Sequence, residues 1–97
     1  LIYVANWPTP RISSWDTLLQ ARAIENLSYV VGVNRIGNDG NGVAYNGHSA
    51  VINHKGEQLY YNIDEESICT ISLNFSELME FRNKFPTHLD ADQFTIK

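Results

Sequence analysis

The chain has 97 residues, a net charge of −4 and a hydrophobic content of 43%. That length allows one domain, and the apolar content is too high for a disordered chain. A nucleic-acid-binding protein needs basic groups to neutralise phosphates, and no Lys/Arg cluster exists, so nucleic acid is not an expected partner. No apolar run approaches the roughly 18 residues of a membrane span, so no membrane is expected either. The single cysteine, Cys69, cannot form an internal disulfide, which favours a reducing compartment.

The first third of the chain predicts a strand, a helix and a second strand. Residues 1–7 form an apolar run too short for a helix, and two prolines then stop it. A helix is predicted from Ser13, or the serine after it, to about Asn26, with Ser13 and Asp16 at capping-box spacing. Residues 28–35 are nearly continuously apolar, which is the pattern of a strand covered on both faces.

The middle of the chain predicts a turn followed by two paired strands. Residues 37–42 consist of glycine, asparagine and aspartate, the residues of tight turns. Residues 43–53 and 57–62 are predicted strands, joined by a turn in which Gly56 takes a positive φ. The order of elements indicates an α/β fold, a sheet with helices on one face. Because the strands are apolar on both sides, the other face needs a layer from an absent part of the protein or from another subunit.

The last third predicts another strand and a second helix. From Ser67 to Asn74 apolar and polar residues alternate, which is typical of a strand with Cys69 on its apolar side. Asn74 is then predicted to cap a helix, with Glu77 at its third position, and Pro86 ends that helix.

Four residues lie where a ligand pocket is expected. Asn6 and Trp7 end the first predicted strand, and Asn34 and Arg35 end the second. Ligands of open α/β sheets bind beyond the carboxyl ends of the strands, so these residues are candidates for the wall of a substrate pocket. For Trp7 an ordinary place in the core remains the competing interpretation.

Arg22 lies on the apolar stripe of the first predicted helix, seven residues after Trp15. A guanidinium buried there needs an anionic partner, and Glu25 lies three residues further along the same face. We therefore predict a buried structural ion pair between Arg22 and Glu25. A substrate clamp formed by Arg22 is the alternative.

The other reactive side chains do not predict a second site. Cys69 shares a strand face with apolar residues, so we expect it to be buried and unreactive. His48 and Ser49 resemble a charge-relay pair only superficially, because adjacent strand residues point to opposite faces. His54 lies in a predicted turn and is expected to be solvated. These residues and His88 are not at metal-ligand spacing, so no metal and no cofactor are expected.

Several segments resemble the nitrilase superfamily of carbon–nitrogen hydrolases, and among them its omega-amidase-like bacterial branch. The segment Asn6-Trp7-Pro8 is similar to one that lies near the active site of that family. The order and spacing of the similar segments cover essentially the whole chain and match the C-terminal half of such an enzyme. In chain order they are residues 6–8, 21–26, 29–35, 45–52, 56–57, 81–82, 85–86 and 90–92 with Phe94.

The resemblance implies a fold and a domain arrangement. The fold would be half of an α-β-β-α nitrilase-type sandwich, a mixed sheet with helices on one face. Residues 1–97 would be the C-terminal portion of a carbon–nitrogen hydrolase domain whose N-terminal half is absent. Subunits of the family pair through their outer helices and C-terminal segments, so a homodimer or higher oligomer is expected. A cytoplasmic location is expected as well, in line with the reducing compartment that the single cysteine favours.

The resemblance also implies an activity. The whole enzyme would hydrolyse small amides to acid and ammonia through a Cys thioester, with a Glu base and a Lys that stabilises the oxyanion. These three residues would lie outside this chain, because Glu25, Lys55 and Cys69 do not match the catalytic contexts of the family. No catalytic residue is assigned, and the chain alone is expected to be inactive. The competing hypothesis is a stand-alone, non-enzymatic α/β interaction module that dimerises by sheet stacking.

Overall fold

The computed structural model describes residues 1–97, which form a slab measuring 46 × 40 × 17 Å. Short 3-10 turns precede the first helix and follow the second. Neither helix has both the length and the apolar character needed to cross a membrane. The α/β class is confirmed, and its elements are β1 (Ile2–Ala5), α1 (Ile12–Glu25), β2 (Val30–Asn34), β3 (Ile36–Asn38), β4 (Ala44–Ile52), β5 (Gln58–Ile63) and α2 (Phe75–Lys84).

The sheet is mixed, and β4 is its centre. β1 pairs with β2 in parallel, because the chain crosses over through α1 between them. β2, β3 and β5 each pair with β4 in antiparallel fashion. The predicted turn at residues 37–42 closes the hairpin between β3 and β4. The predicted tight turn with Gly56 at positive φ, here 85°, joins β4 to β5.

The start of α1 differs from the prediction. The helix begins at Ile12, after a 3-10 turn over Thr9–Arg11, and no side chain caps it. The predicted capping box of Ser13 and Asp16 is therefore wrong. Pro10 fixes a φ compatible with a helical turn, so the chain enters the helix before Ser13. Asp16 consequently lies inside the helix, where its carboxylate is free to bind another element.

One face of the sheet is covered by α1. Trp15, Leu19 and Ala23 lie four residues apart on the helix, so they form one stripe, and they pack against Val30, Ala50 and Ile52 of the sheet. Gly32 lets the helix approach closely, since a methyl group at that position would lie 2.5 Å from Cδ1 of Leu19. This helix-covered face contains the hydrophobic core.

The opposite face, called the outer face below, consists of the side chains that point away from α1. They alternate with core residues along β1 and β2 and include Ile2, Val4, Val31 and Val33. Ile2 is 75% exposed, Val4 78% and Val33 47%. The prediction that helices cover only one face of the sheet is thus confirmed at β1 and β2, and a layer over the other face stays a prediction.

The second helix packs beside the loops at one end of the sheet. As predicted, the Asn74 side chain accepts a hydrogen bond from the Glu77 N–H at 2.9 Å and caps α2. The prediction that His54 is solvated is wrong, because this residue is only 1% exposed. Its ring lies 5.8 Å from that of Tyr29 and 4.7 Å from that of Phe81, so the turn is folded under aromatic side chains.

The predicted strand at residues 67–74 is not formed. The segment has no strand partner, and Ile68 is 99% exposed. Alternation shows which side of a strand would be apolar, but a strand forms only where its backbone groups pair with a neighbouring strand, and this segment pairs with none. Cys69 is therefore exposed, contrary to the prediction that it is buried.

Candidate functional site

Asn34 ties together the ends of three strands. Its Nδ2 donates to the carbonyl oxygens of Trp7 and Gly47, each at 2.9 Å. Its Oδ1 accepts from the Trp7 N–H at 2.7 Å. Both amide hydrogens are thus engaged and the residue is buried. Asn34 holds the end of β1 in place, while its own amide N–H groups are not available to a ligand.

Trp7 is a fixed, half-buried aromatic residue at the end of β1. Its indole Nε1 donates to the Arg11 carbonyl at 2.5 Å, and the Arg11 guanidinium lies 5.2 Å from the ring centroid. The Trp15 ring packs 5.9 Å away on the core side. Asn6, the preceding residue, is exposed. Trp7 thus packs against the hydrophobic core, as the competing interpretation expected, and the Asn6 side chain beside it is exposed.

Arg35 lies between β2 and β3, and its side chain contacts the hairpin formed by β3 and β4. Its guanidinium lies 4.6 Å from the Tyr45 ring, and Nη2 donates to the Asn38 carbonyl at 3.4 Å. In the same hairpin, backbone N–H groups, that of Val43 first, lower the pKa of Asp39. The structure thus brings Asn6, Trp7 and Asn34 together and places Arg35 among hairpin contacts.

Arg22 and Glu25 form the ion pair that the spacing suggested, but in a different environment. Nη1 of Arg22 lies 2.5 Å from Oε1 of Glu25, and the two side chains are 42% and 54% exposed. The prediction that the pair is buried is wrong, because the buried stripe of α1 runs through Leu19 and Ala23 and leaves Arg22 at its edge. Exposed pairs of this kind contribute about 0–1 kcal/mol to stability.

A polar cluster of Asp16, His48 and Tyr61 lies between α1 and the sheet. His48 Nδ1 lies 3.0 and 2.9 Å from the two carboxylate oxygens of Asp16. The Tyr61 hydroxyl lies 3.2 Å from both oxygens and also contacts His48 Nδ1. Asn46 Nδ2 lies 3.2 Å from His48 Nε2.

Sequence reasoning missed this cluster, because its members are 13 to 45 residues apart in the chain. A weak signal was present in Gly47, since a glycine inside a strand often marks a β-bulge, and a bulge redirects the next side chain.

Burial first, and the Asp16 carboxylate second, raise the pKa of Tyr61 to about 12. The phenol therefore stays protonated near neutral pH and donates its hydrogen to the cluster. The Asn46 amide, as placed, donates to Nε2 of His48, so the tautomer that fits carries its hydrogen on Nδ1 and donates it to Asp16. Each member then has a consistent donor and acceptor.

The backbone at His48 is strained. Its φ is 56°, a value that a non-glycine residue adopts at a cost of about 1–3 kcal/mol. The pairing of β4 with β5 shifts register between Gly47 and Ser49, so His48 is the bulged residue. Its carbonyl accepts a hydrogen bond from the Trp15 indole at 2.9 Å. The bulge thus directs the imidazole of His48 towards α1.

A cavity of about 340 Å³ opens on the outer face of the sheet. Its lining includes Asn34 and Arg35 at the end of β2 and Tyr60 on β5, together with Cys69 from the unpaired segment. Residues 65–69 thus lie over the β4–β5 side of the outer face, where Val51 is only 7% exposed, while β1 stays uncovered.

The chain is similar to known amidases over nearly its whole length. It is 50% identical over 97 residues to omega-amidase YafV of Escherichia coli K12, covering 98% of this chain and 38% of that protein. It is 44% identical over 95 residues to 2-oxoglutaramate amidase of Paenarthrobacter nicotinovorans, covering 96% of this chain and 32% of that protein. The chain therefore spans about a third of the length of these relatives.

The fold is shared with a solved structure, that of XC1258 from Xanthomonas campestris, a CN-hydrolase superfamily protein with an arsenic adduct in its active site. The TM-score is 0.93 at 45% identity, and the match covers 99% of this chain and 36% of that one. The family model for carbon-nitrogen hydrolases matches residues 1–83. The chain belongs to the carbon-nitrogen hydrolase family, within the nitrilase superfamily, and resembles its omega-amidases.

Proposed function

We propose that this chain is the C-terminal portion of a longer amidase that hydrolyses small ω-monoamides of dicarboxylic acids. The observation that carries the proposal is the outer face, where Ile2 and Val4 are 75% and 78% exposed. Apolar strands of this kind are stable when a second layer covers them, and the relatives named above are much longer than this chain. The missing layer would come from the rest of the same protein.

The chemistry of such an enzyme follows from covalent catalysis. A Cys thiolate attacks the amide carbon, ammonia leaves, and water hydrolyses the resulting thioester to the acid. The Cys, the Glu base and the oxyanion-stabilising Lys would all lie outside residues 1–97. This chain would bind and orient the substrate, which is consistent with the absence of any family-type catalytic context around Glu25, Lys55 and Cys69.

The proposed pocket wall consists of Asn6, Trp7, Asn34 and Arg35. Trp7 would pack against the carbon chain of the substrate, and Asn6 would hydrogen-bond one of its polar ends. Asn34 would act by keeping Trp7 in place, as its contacts at 2.7 and 2.9 Å suggest. Arg35, at the edge of the outer cavity, is suited to a carboxylate.

The assembly and location of the enzyme are part of the proposal. Exposed apolar residues of α2 and the following segment, such as Phe75 at 72% and Phe94 at 81%, would be covered in a homodimer or higher oligomer. A cytoplasmic location agrees with the single free cysteine.

The test compares ammonia release from 2-oxoglutaramate by the longer protein and by residues 1–97 alone. The longer protein is expected to turn over the amide and the chain alone is not. Turnover by the isolated chain would contradict the assignment of the catalytic residues. Asn6→Ala is expected to lower kcat/KM about tenfold, the effect of losing one substrate hydrogen bond. Asn38→Ala, which removes an exposed amide from the hairpin, is the matched control and should leave kcat/KM unchanged.

A further inference from the structure

Besides its direct contacts with Arg11, Trp7 has two supports that originate at one place, the bulge of β4. The carbonyl of Gly47 accepts from Asn34 Nδ2 at 2.9 Å, and the same Asn34 amide binds the backbone of Trp7 at 2.7 and 2.9 Å. The carbonyl of His48 accepts from the Trp15 indole at 2.9 Å, and the Trp15 ring packs 5.9 Å from that of Trp7. Two adjacent peptide carbonyls therefore support Trp7 indirectly, its backbone through Asn34 and its ring through Trp15.

The bulge needs an external hold to keep this geometry. Gly47 and His48 have φ values of 78° and 56°, and His48 adopts its value without the freedom of a glycine. The His48 side chain is only 12% exposed, and its two ring nitrogens contact Asp16, Tyr61 and Asn46. Asp16 belongs to α1 and Tyr61 to β5, so the imidazole locks the bulge to the elements on either side of it.

A chemical role for the cluster itself does not fit its geometry. Both nitrogens of the His48 ring are occupied by protein groups, so neither is available to a substrate. With a pKa of about 12, the Tyr61 phenol is a hydrogen-bond donor at neutral pH and not a nucleophile. The Asp16 carboxylate accepts from both neighbours. Asp16, His48 and Tyr61 therefore form a structural clamp, which holds the bulge of β4 between α1 and β5.

We propose that Asp16, His48 and Tyr61 are positioning residues that set the orientation of Trp7, and with it the shape of the substrate pocket, through the carbonyls of Gly47 and His48. The pocket role of Trp7 rests on the proposed function, whereas the mechanical link from the clamp to Trp7 does not. Loosening the clamp would turn the indole away from its place in the wall. Substrate binding would weaken more than the chemical step, because the reacting groups lie elsewhere.

The experiment uses the longer protein with Tyr61→Phe and Asp16→Asn. Each change keeps the shape of the side chain and removes one part of the clamp. The matched control is Tyr29→Phe, which removes a hydroxyl that donates to the Asn74 carbonyl at 3.3 Å beside α2, away from the proposed pocket wall. For turnover of 2-oxoglutaramate, both clamp variants are expected to raise KM about tenfold with kcat changed less than about threefold, and the control to change neither.

A second readout does not depend on activity. With 5-fluorotryptophan incorporated, and its signal assigned with Trp7→Phe, the ¹⁹F resonance of residue 7 should shift in both clamp variants and stay in place in Tyr29→Phe. An unmoved resonance, or a KM unchanged in both variants, would overturn the clamp. A shifted resonance in a protein that never turns over any ω-monoamide would support the clamp and overturn the proposed function.

Discussion

The two faces of the sheet carry similar apolar side chains and bury them very differently. On the helix-covered face Leu19 is 4% and Ile52 2% exposed, whereas Ile2 and Val4 on the outer face are 75% and 78% exposed. Successive residues of β2 alternate between the buried face and the more exposed outer face. The strands therefore have two apolar faces, and α1 covers only one of them.

The largest effect is expected from truncating the helix-covered face. Leu19→Ala removes a side chain that packs between Trp15 and Gly32 and leaves a cavity, which should lower the free energy of unfolding by about 2–5 kcal/mol. Urea unfolding of the variant chain measures the change. A loss below about 1 kcal/mol would mean that the helix does not pack on the sheet as described.

A smaller loss is expected from adding one methyl group to the same face. Gly32→Ala places a Cβ 2.5 Å from the Leu19 side chain and 3.0 Å from that of Trp15, so these side chains must move, at a cost of about 1–3 kcal/mol. Gly40→Ala, which meets nothing within 4 Å, is the matched control and should be neutral within about 0.5 kcal/mol. Equal denaturation midpoints for the two variants would contradict the close approach of α1.

The helix-covered face should also respond to alkaline pH. The Tyr61 pKa is raised from 10.0 to about 12, so between these values the unfolded chain releases a proton that the folded chain keeps. The contribution of Tyr61 to the free energy of unfolding is fully present below pH 10 and is lost as the pH rises to about 12. After allowance for solvent screening this contribution amounts to about 1–2 kcal/mol. Tyr61→Phe should flatten the profile of unfolding free energy in that window, and an unchanged slope would place Tyr61 outside the cluster.

The smallest effect is expected on the outer face. Val4→Ala should change the free energy of unfolding of the 97-residue chain by less than about 0.5 kcal/mol, because the side chain is already in water. In the proposed longer protein the same change should cost about 1–3 kcal/mol, the cost of truncating a buried valine. Unfolding curves for both proteins, with and without the substitution, test the difference.

Sequence patterns predicted those features of the fold that depend on residues close together in the chain. The apolar runs located the strands around Val4 and Val31. The cap of α2 followed from Asn74 and Glu77, because a capping side chain and the N–H that it binds are three residues apart. The two-sided apolar character of β2 also predicted the uncovered face, since composition reports burial even where the covering layer is absent.

Features that depend on distant residues were not predictable in the same way. The alternation at residues 67–74 could not show that no sheet edge pairs with the segment, so the burial of Cys69 was predicted wrongly. The sequence around His54 predicted an exposed turn, because the aromatic residues that bury it, Tyr29 and Phe81, are distant in the chain. Within the candidate site, strand ends located Asn6 and Trp7, but the clamp around His48 depends on contacts that span up to 45 residues of chain.

The most direct test of the missing layer is the accessibility of position 4. In a Cys69→Ser background, the thiol of Val4→Cys is alkylated in the 97-residue chain and in the proposed longer protein, and the modified peptide is quantified by mass spectrometry. A second partner layer predicts labelling at least about tenfold slower in the longer protein, because a buried thiol reacts only after local opening. Equal labelling rates in the two proteins would contradict it.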